Sequence, residues 1–156
     1  MAQENFHLKQ LQQAVLSGRT CSEAWRRLQL KRLDELINNH EQDVLNALEK
    51  DLGKPSTEAF FEIIAIKQEL KVAERNLKRW MRPRSIEVPL SLKPSKAMVQ
   101  LEPLGCVLII GPWNYPFSLI IQPLISALAA GNTAVLKPSE HAPETSNLVK
   151  KLLGEY

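Results

Sequence analysis

A chain of 156 residues with 44% hydrophobic and 24% charged content has the size and composition of one ordinary globular domain, which excludes a disordered segment. Its formal net charge of +3 is too small for strong electrostatic capture of nucleic acid, and its two cysteines make neither a disulfide framework nor a zinc pattern. The opening stretch MAQENFHLKQ has no apolar core of the kind a signal peptide carries, so a reducing, cytoplasmic setting is expected.

Residues 1–82 read as helical. Leu8, Leu11, Ala14 and Val15 keep a helical period until Ser17 and Gly18 interrupt it. Thr20 with Glu23 three residues on has the form of a capping box, and Leu28, Leu33, Leu36 and Ile37 follow on an apolar stripe that Trp25 can join. Val44, Leu45 and Leu48 form a further turn set, stopped at Gly53, Lys54 and Pro55, where Gly suits a left-handed cap and Pro cannot continue a helix. A long amphipathic run from Thr57 to Trp80 contains Phe60, Phe61, Ile63, Ile64, Leu70, Ala73 and Leu77, and its aromatics are expected in the core. The bases Lys67, Lys71, Arg75, Lys78, Arg79, Arg82 and Arg84 read as the solvated face and C-terminal end of that helix, where cations complement the dipole.

Composition changes after Pro83. Only Pro55 precedes it, whereas Pro83 to Pro143 holds the other nine prolines. Ser85 to Gln100 alternates short apolar and polar stretches around Pro89 and Pro94, which fits edge strands of an arm or a surface hairpin, and Lys93 and Lys96 supply the charge that edges use against unwanted pairing.

Residues 105–156 read as strand, helix, strand, helix. Cys106 to Ile110 is a continuous apolar run with β-branched members, the pattern of a strand buried on both faces. Gly111 to Pro116 is a turn. Phe117 to Ala130 is apolar almost all round, like a buried helix, with Gly131 as its cap and Pro123 marking a kink or its first turn. Asn132 to Leu136 is a second short strand, and Pro143 sits where a helix start tolerates it. The order is a βαβ unit with an expected right-handed crossover. A membrane span from Val107 to Ala130 is not expected, because Gly111, Asn114 and two prolines interrupt it below the ~20 apolar residues a span needs.

In open parallel sheets, ligands bind beyond the carboxyl ends of the strands. Two turns occupy such ends, Gly111 to Pro116 and Lys137 to Glu140, and neither is a Walker loop or a G-x-G-x-x-G fingerprint. Their chemistry lies in side chains: the amide of Asn114, the ammonium of Lys137 and the carboxylate of Glu140. By residue type alone Asn114 can equally be a turn residue, and Lys137 to Glu140 a helix start with Ser139 as cap.

The blocks Glu102-Pro-Leu-Gly-Cys-Val-Leu-Ile-Ile-Gly-Pro-Trp-Asn-Tyr-Pro116 and Ala129-Ala-Gly-Asn-Thr-Ala-Val-Leu-Lys-Pro-Ser-Glu140 resemble the aldehyde dehydrogenase superfamily, as does the spacing between them. The Pro-Trp-Asn-Tyr-Pro form and the run Arg79 to Pro83 look most like the class 3 and fatty aldehyde dehydrogenase branch, and the resemblance extends from about Gln10 to Tyr156.

The resemblance implies an α/β fold, the N-terminal part of a Rossmann-like cofactor-binding domain. Residues 1–84 would be its helical part, 85–103 a bridging arm used in a dimer or tetramer, and 104–156 its first βαβα unit. Asn114 would be the oxyanion-hole donor. Lys137 and Glu140 would hold the adenosine ribose of NAD or NADP, and Ile110, Gly111, Pro112 and Trp113 would line the cofactor cleft. The activity implied is oxidation of aliphatic, fatty or aromatic aldehydes to acids through a cysteine thiohemiacetal, with no metal. Neither Cys21 nor Cys106 matches the family's nucleophile, and its general-base glutamate is also unmatched, so the chain by itself is expected to be inactive. A related acyl reductase, or a truncated protein acting only by association, are the alternatives. Two parallel strands do not make a stable open sheet, which also points to part of a larger domain.

Overall fold

In the computed structural model, which describes residues 2–155 and the side chains of residues 7–154, the first half is helical. The helices are α1 (Ala2–Leu16), α2 (Glu23–Asn39), α3 (Glu41–Leu52) and α4 (Ser56–Trp80). Helix α1 ends before Gly18, whose φ of 75° lies in the left-handed region. The cap of α2 is Ser22, two residues later than the expected Thr20: its hydroxyl accepts from the Trp25 N–H at 3.1 Å, while Thr20 is buried instead. Helix α3 stops at Gly53, with φ at 63° and its N–H donating to the Glu49 carbonyl at 2.7 Å.

The buried stripe of α4 is Ala59, Glu62, Ile63, Ile66, Leu70, Ala73 and Leu77. This phase corrects the expectation for the aromatics. Phe60 and Phe61 lie off the stripe, at 38% and 66% exposure, and Trp80 is half-buried, because i, i+3, i+4, i+7 spacing from Ala59 carries Phe60 and Phe61 to the flank.

Residues 84–99 form an antiparallel hairpin of β1 (Arg84–Ile86) and β2 (Ala97–Val99), with Arg84 opposite Val99 and a 3-10 turn at Leu90–Leu92 between them. Its apolar side chains stand in solvent: Leu90 is 81% exposed and Met98 66%.

The second half is β3 (Cys106–Ile110), α5 (Ser118–Ala129), β4 (Thr133–Lys137) and α6 (Pro143–Glu155). Strands β3 and β4 are parallel, pairing Cys106 with Thr133 through Ile110 with Lys137. Val107 and Ile109, with Ala134 and Leu136, turn toward the core shared with α5. The alternate residues turn away, Leu108 at 62% and Ile110 at 65% exposure. The strand is therefore not buried on both faces, contrary to the reading of its apolar run: α1 also touches β3 and β4, with Thr133 Oγ1 donating to the Leu11 carbonyl at 3.0 Å, but Leu108 and Ile110 stay exposed. Helix α5 carries Pro123 in its interior, six residues into the helix and not in its first turn.

Helix α5 is the hub of the packing, touching α2 and α4 on one side and both parallel strands on the other. Phe117, Ile120, Ile121 and Ile125 are fully buried there with Leu30, Ile63 and Leu77. Its C-terminus is a Schellman motif: Asn132 N–H donates to the Ala127 carbonyl (2.9 Å) and Gly131 N–H to the Leu128 carbonyl (3.0 Å). Gly131 has φ at 85°, and a Cβ there would come within 2.6 Å of the Arg26 guanidinium. Arg26 is buried and spans the two halves of the chain, donating to the Thr20 carbonyl at 3.2 Å and the Ala129 carbonyl at 3.1 Å. Burial lowers its pKa, an effect that the Cys21 thiol partly opposes.

Candidate functional site

The carboxyl ends of the parallel strands carry the two turns. The ladder continues one step past β3, where Gly111 N–H donates to the Lys137 carbonyl at 3.0 Å, so the turns start side by side. Gly111 is buried against α5: a Cβ on it would meet the Ile120 side chain, with Cδ1 at 2.5 Å. Glycine here permits close approach of turn to helix, and its φ is not in the left-handed region. Pro112, Trp113, Asn114 and Tyr115 follow on the surface, and Pro116 and Phe117 return to the interior. The side-chain amide of Asn114 makes no hydrogen bond to the described residues, leaving its donors open to solvent.

The backbone of this turn is held from beneath by two residues that no sequence motif marks, Lys54 and Glu62. Lys54, from the linker between α3 and α4, donates through Nζ to the Asn114 carbonyl at 2.9 Å and to Glu62 Oε1 at 2.7 Å. It also sits over the Tyr115 ring, 4.1 Å from the centroid. Glu62 Oε2 accepts from the N–H groups of Phe117 (3.2 Å) and Ser118 (2.9 Å), capping α5, which has no side-chain cap of its own. Both residues are buried, Glu62 almost completely. The available signal was phase: Glu62 is a carboxylate in register with Ala59, Ile63, Ile66 and Leu70 on an otherwise apolar stripe.

The second turn is open. Lys137 ends β4, and its Nζ lies 2.5 Å from Glu140 Oε2, with the two side chains 53% and 70% exposed. The hydrogen bond from Lys137 holds the Glu140 carboxyl below the usual carboxylate range, helped by a backbone hydrogen bond and the Lys137 charge. Ser139 does not cap α6: its hydroxyl accepts from His141 N–H at 3.2 Å inside the turn. That cap comes from α3, where Asp51 accepts from the N–H groups of Glu144 (2.9 Å) and Thr145 (2.7 Å).

Ile110, Gly111, Pro112, Trp113 and Asn114 thus lie along one turn, and Lys137 and Glu140 along its neighbour, at the same end of the sheet. The donor set of the second turn fits a sugar diol, since a carboxylate accepts from hydroxyls and an ammonium donates to them. A cavity of about 770 Å³ lies elsewhere: its lining includes Cys21, Arg26, Met81 and the 100–106 segment, toward the amino end of β3. Both cysteines are free thiols, and Cys106 occupies that amino end, about 13 Å along the strand from Ile110 at roughly 3.3 Å per residue. Among the described residues no group of three His, Cys, Asp or Glu gathers as for a metal ion, and no helix is long and apolar enough to cross a membrane.

Residues 8–156 match the model of the aldehyde dehydrogenase family. The chain is 46% identical over 147 residues to an aldehyde dehydrogenase of Craterostigma plantagineum, covering 94% of this chain and 31% of that protein. It is 45% identical over 133 residues to the 4,4'-diaponeurosporen-aldehyde dehydrogenase of Staphylococcus aureus, covering 85% of this chain and 29% of that protein. Among solved structures, the substrate-bound state of Staphylococcus aureus AldH superposes with a TM-score of 0.93 at 39% identity, over 99% of this chain and 34% of that one. The chain spans about a third of the length of the relatives it matches.

Proposed function

The chain belongs to the aldehyde dehydrogenase family, and from that premise we propose that it supplies the adenosine-binding side and the oxyanion turn of an NAD(P)-dependent enzyme that oxidises aldehydes to carboxylic acids. The hydrogen bond from Gly111 N–H to the Lys137 carbonyl, 3.0 Å, carries this reading, because it starts both turns at one edge of the sheet. Held by these two turns, a nicotinamide cofactor would supply the hydride acceptor for the oxidation.

The chain's own residues have separable roles in this reading. Glu140 accepts hydrogen bonds from the ribose hydroxyls and Lys137 donates to the same sugar. Ile110, Gly111, Pro112 and Trp113 form the wall of the cofactor cleft. A 2′-phosphate would meet the charge of Glu140, so NAD is the better fit and NADP the poorer. The Asn114 amide donates to the oxygen of the aldehyde as a thiolate adds to its carbonyl carbon and negative charge develops there. That thiolate is neither Cys21 nor Cys106. The 156-residue chain by itself is therefore inactive in this reading. The exposed hairpin of β1 and β2 is the arm through which copies of the enzyme associate. Substrates are aliphatic, fatty or aromatic aldehydes, and the setting is the cytoplasm.

The test is steady-state aldehyde-dependent reduction of NAD and NADP, by a protein of the relatives' length carrying residues 1–156. Asn114→Ala should lower kcat by about 10²–10³, corresponding to the roughly 2.7–4 kcal/mol carried by one oxyanion donor. Unchanged kcat in that variant would remove the oxyanion role. Glu140→Ala should raise KM for the cofactor, with kcat nearly unchanged.

A further inference from the structure

We propose that the buried Lys54–Glu62 pair is a positioning device for the Asn114 amide. The inference rests on the oxyanion role of Asn114 given above and adds two residues, on other elements, that act through it.

The pair grips the turn on both sides of the side chain it would aim. Lys54 Nζ holds the Asn114 carbonyl at 2.9 Å and packs on the Tyr115 ring. Glu62 Oε2 holds the backbone donors at the start of α5, Phe117 N–H at 3.2 Å and Ser118 N–H at 2.9 Å. The 2.7 Å ion pair locks the two grips together. Residues 114–118 are thereby fixed at both ends, with Pro116 restricting φ between them. The Asn114 side chain makes no hydrogen bond to the described residues, so its direction follows from its own backbone, whose carbonyl Lys54 holds.

Stability alone is a weak reason for such an arrangement. Removing two charges from water is costly, and well-packed apolar replacements for buried pairs are often neutral or stabilising. Geometry is the better reason, since a catalytic donor displaced by about 1 Å can lose about 10²-fold in rate.

The experiment uses the enzyme at the full length of its relatives. The variants are Lys54→Met/Glu62→Gln, Asn114→Ala and the triple combination. The double variant removes both charges yet leaves an amide oxygen to accept from the α5 backbone, so it should fold. Expected results are a kcat lower by about 10–100-fold with KM for NAD within two-fold, and faster hydrogen exchange in peptides covering residues 113–118. In the Asn114→Ala background the same two substitutions should cost less than about three-fold, because residues acting as one unit are not additive. Full additivity in that background, or unchanged exchange at 113–118, overturns the proposal. Full kcat in Asn114→Ala alone overturns the oxyanion reading instead, and exchange still reports on the clamp. Should the double variant not fold, Glu62→Asp, which keeps the charge and withdraws it by one methylene, takes its place under the same criteria.

Discussion

The two turns at the carboxyl end of the sheet are built in opposite ways. The turn from Gly111 to Pro116 is held by buried groups from distant elements: Ile120 beneath Gly111, Lys54 on the Asn114 carbonyl and Glu62 at the start of α5. The turn from Lys137 to Glu140 is held by its own exposed ion pair. Exposed pairs contribute little stability, so Lys137 and Glu140 can exchange each other for sugar hydroxyls at small cost. A buried pair with every partner made has no such freedom. The contrast suits the proposed roles, a fixed donor beside the reacting carbon and an adjustable clasp for the cofactor's far end.

The largest effect should come from breaking the buried support. Lys54→Met leaves the Glu62 carboxylate buried without its counter-ion, and chemical denaturation should show a loss of about 3–5 kcal/mol. Gly111→Ala sharpens the comparison by overpacking the same turn, because the added methyl enters the space of Ile120. The expected cost is about 1–3 kcal/mol by the same measurement. On the side of the open turn, Asp51→Ala removes the acceptor for the first N–H groups of α6 and should cost about 0.5–2 kcal/mol, the range for a lost cap.

Lys137→Met should leave the unfolding midpoint where it was. Its effect should be visible by NMR titration of the Glu140 carboxyl, which rises back toward the ordinary carboxylate range when its donor is lost. The sign follows from linkage. A carboxyl whose pKa is lowered in the folded state contributes stability above its unfolded pKa and loses it as pH falls through the folded one. Any stabilisation from Glu140 is therefore an effect of neutral pH that disappears in acid, and Lys137→Met should weaken that pH dependence, leaving the part due to the backbone hydrogen bond.

The elements of the second half were legible because their signals are local. The β-branched run marked β3, and Gly131 after an apolar stretch marked the Schellman end of α5. The candidate residues from Ile110 to Asn114, and Lys137 with Glu140, could be assigned to strand ends for the same reason. What escaped depends on tertiary contact. Lys54, between Gly53 and Pro55, reads as part of a helix stop, and its bond to Asn114 joins residues 60 apart in sequence. Phe60 and Phe61 read as core residues because aromatic identity outweighs phase, and Glu62 is hard to see for the same reason. The exposed face of β3 was equally unreadable, since an apolar run specifies what a strand can tolerate on each face and not what lies against it.

The cap on α6 has a kinetic side. Most helices take their first acceptor from an adjacent residue, so cap and helix form together. Here Asp51 precedes the Glu144 and Thr145 amides by 93 and 94 residues. Those bonds can form only after α3 has docked, and a helix of 13 residues is marginal alone. α6 should therefore be a late-forming element whose order reports assembly of the two halves, and Asp51→Ala should speed unfolding more than it slows folding.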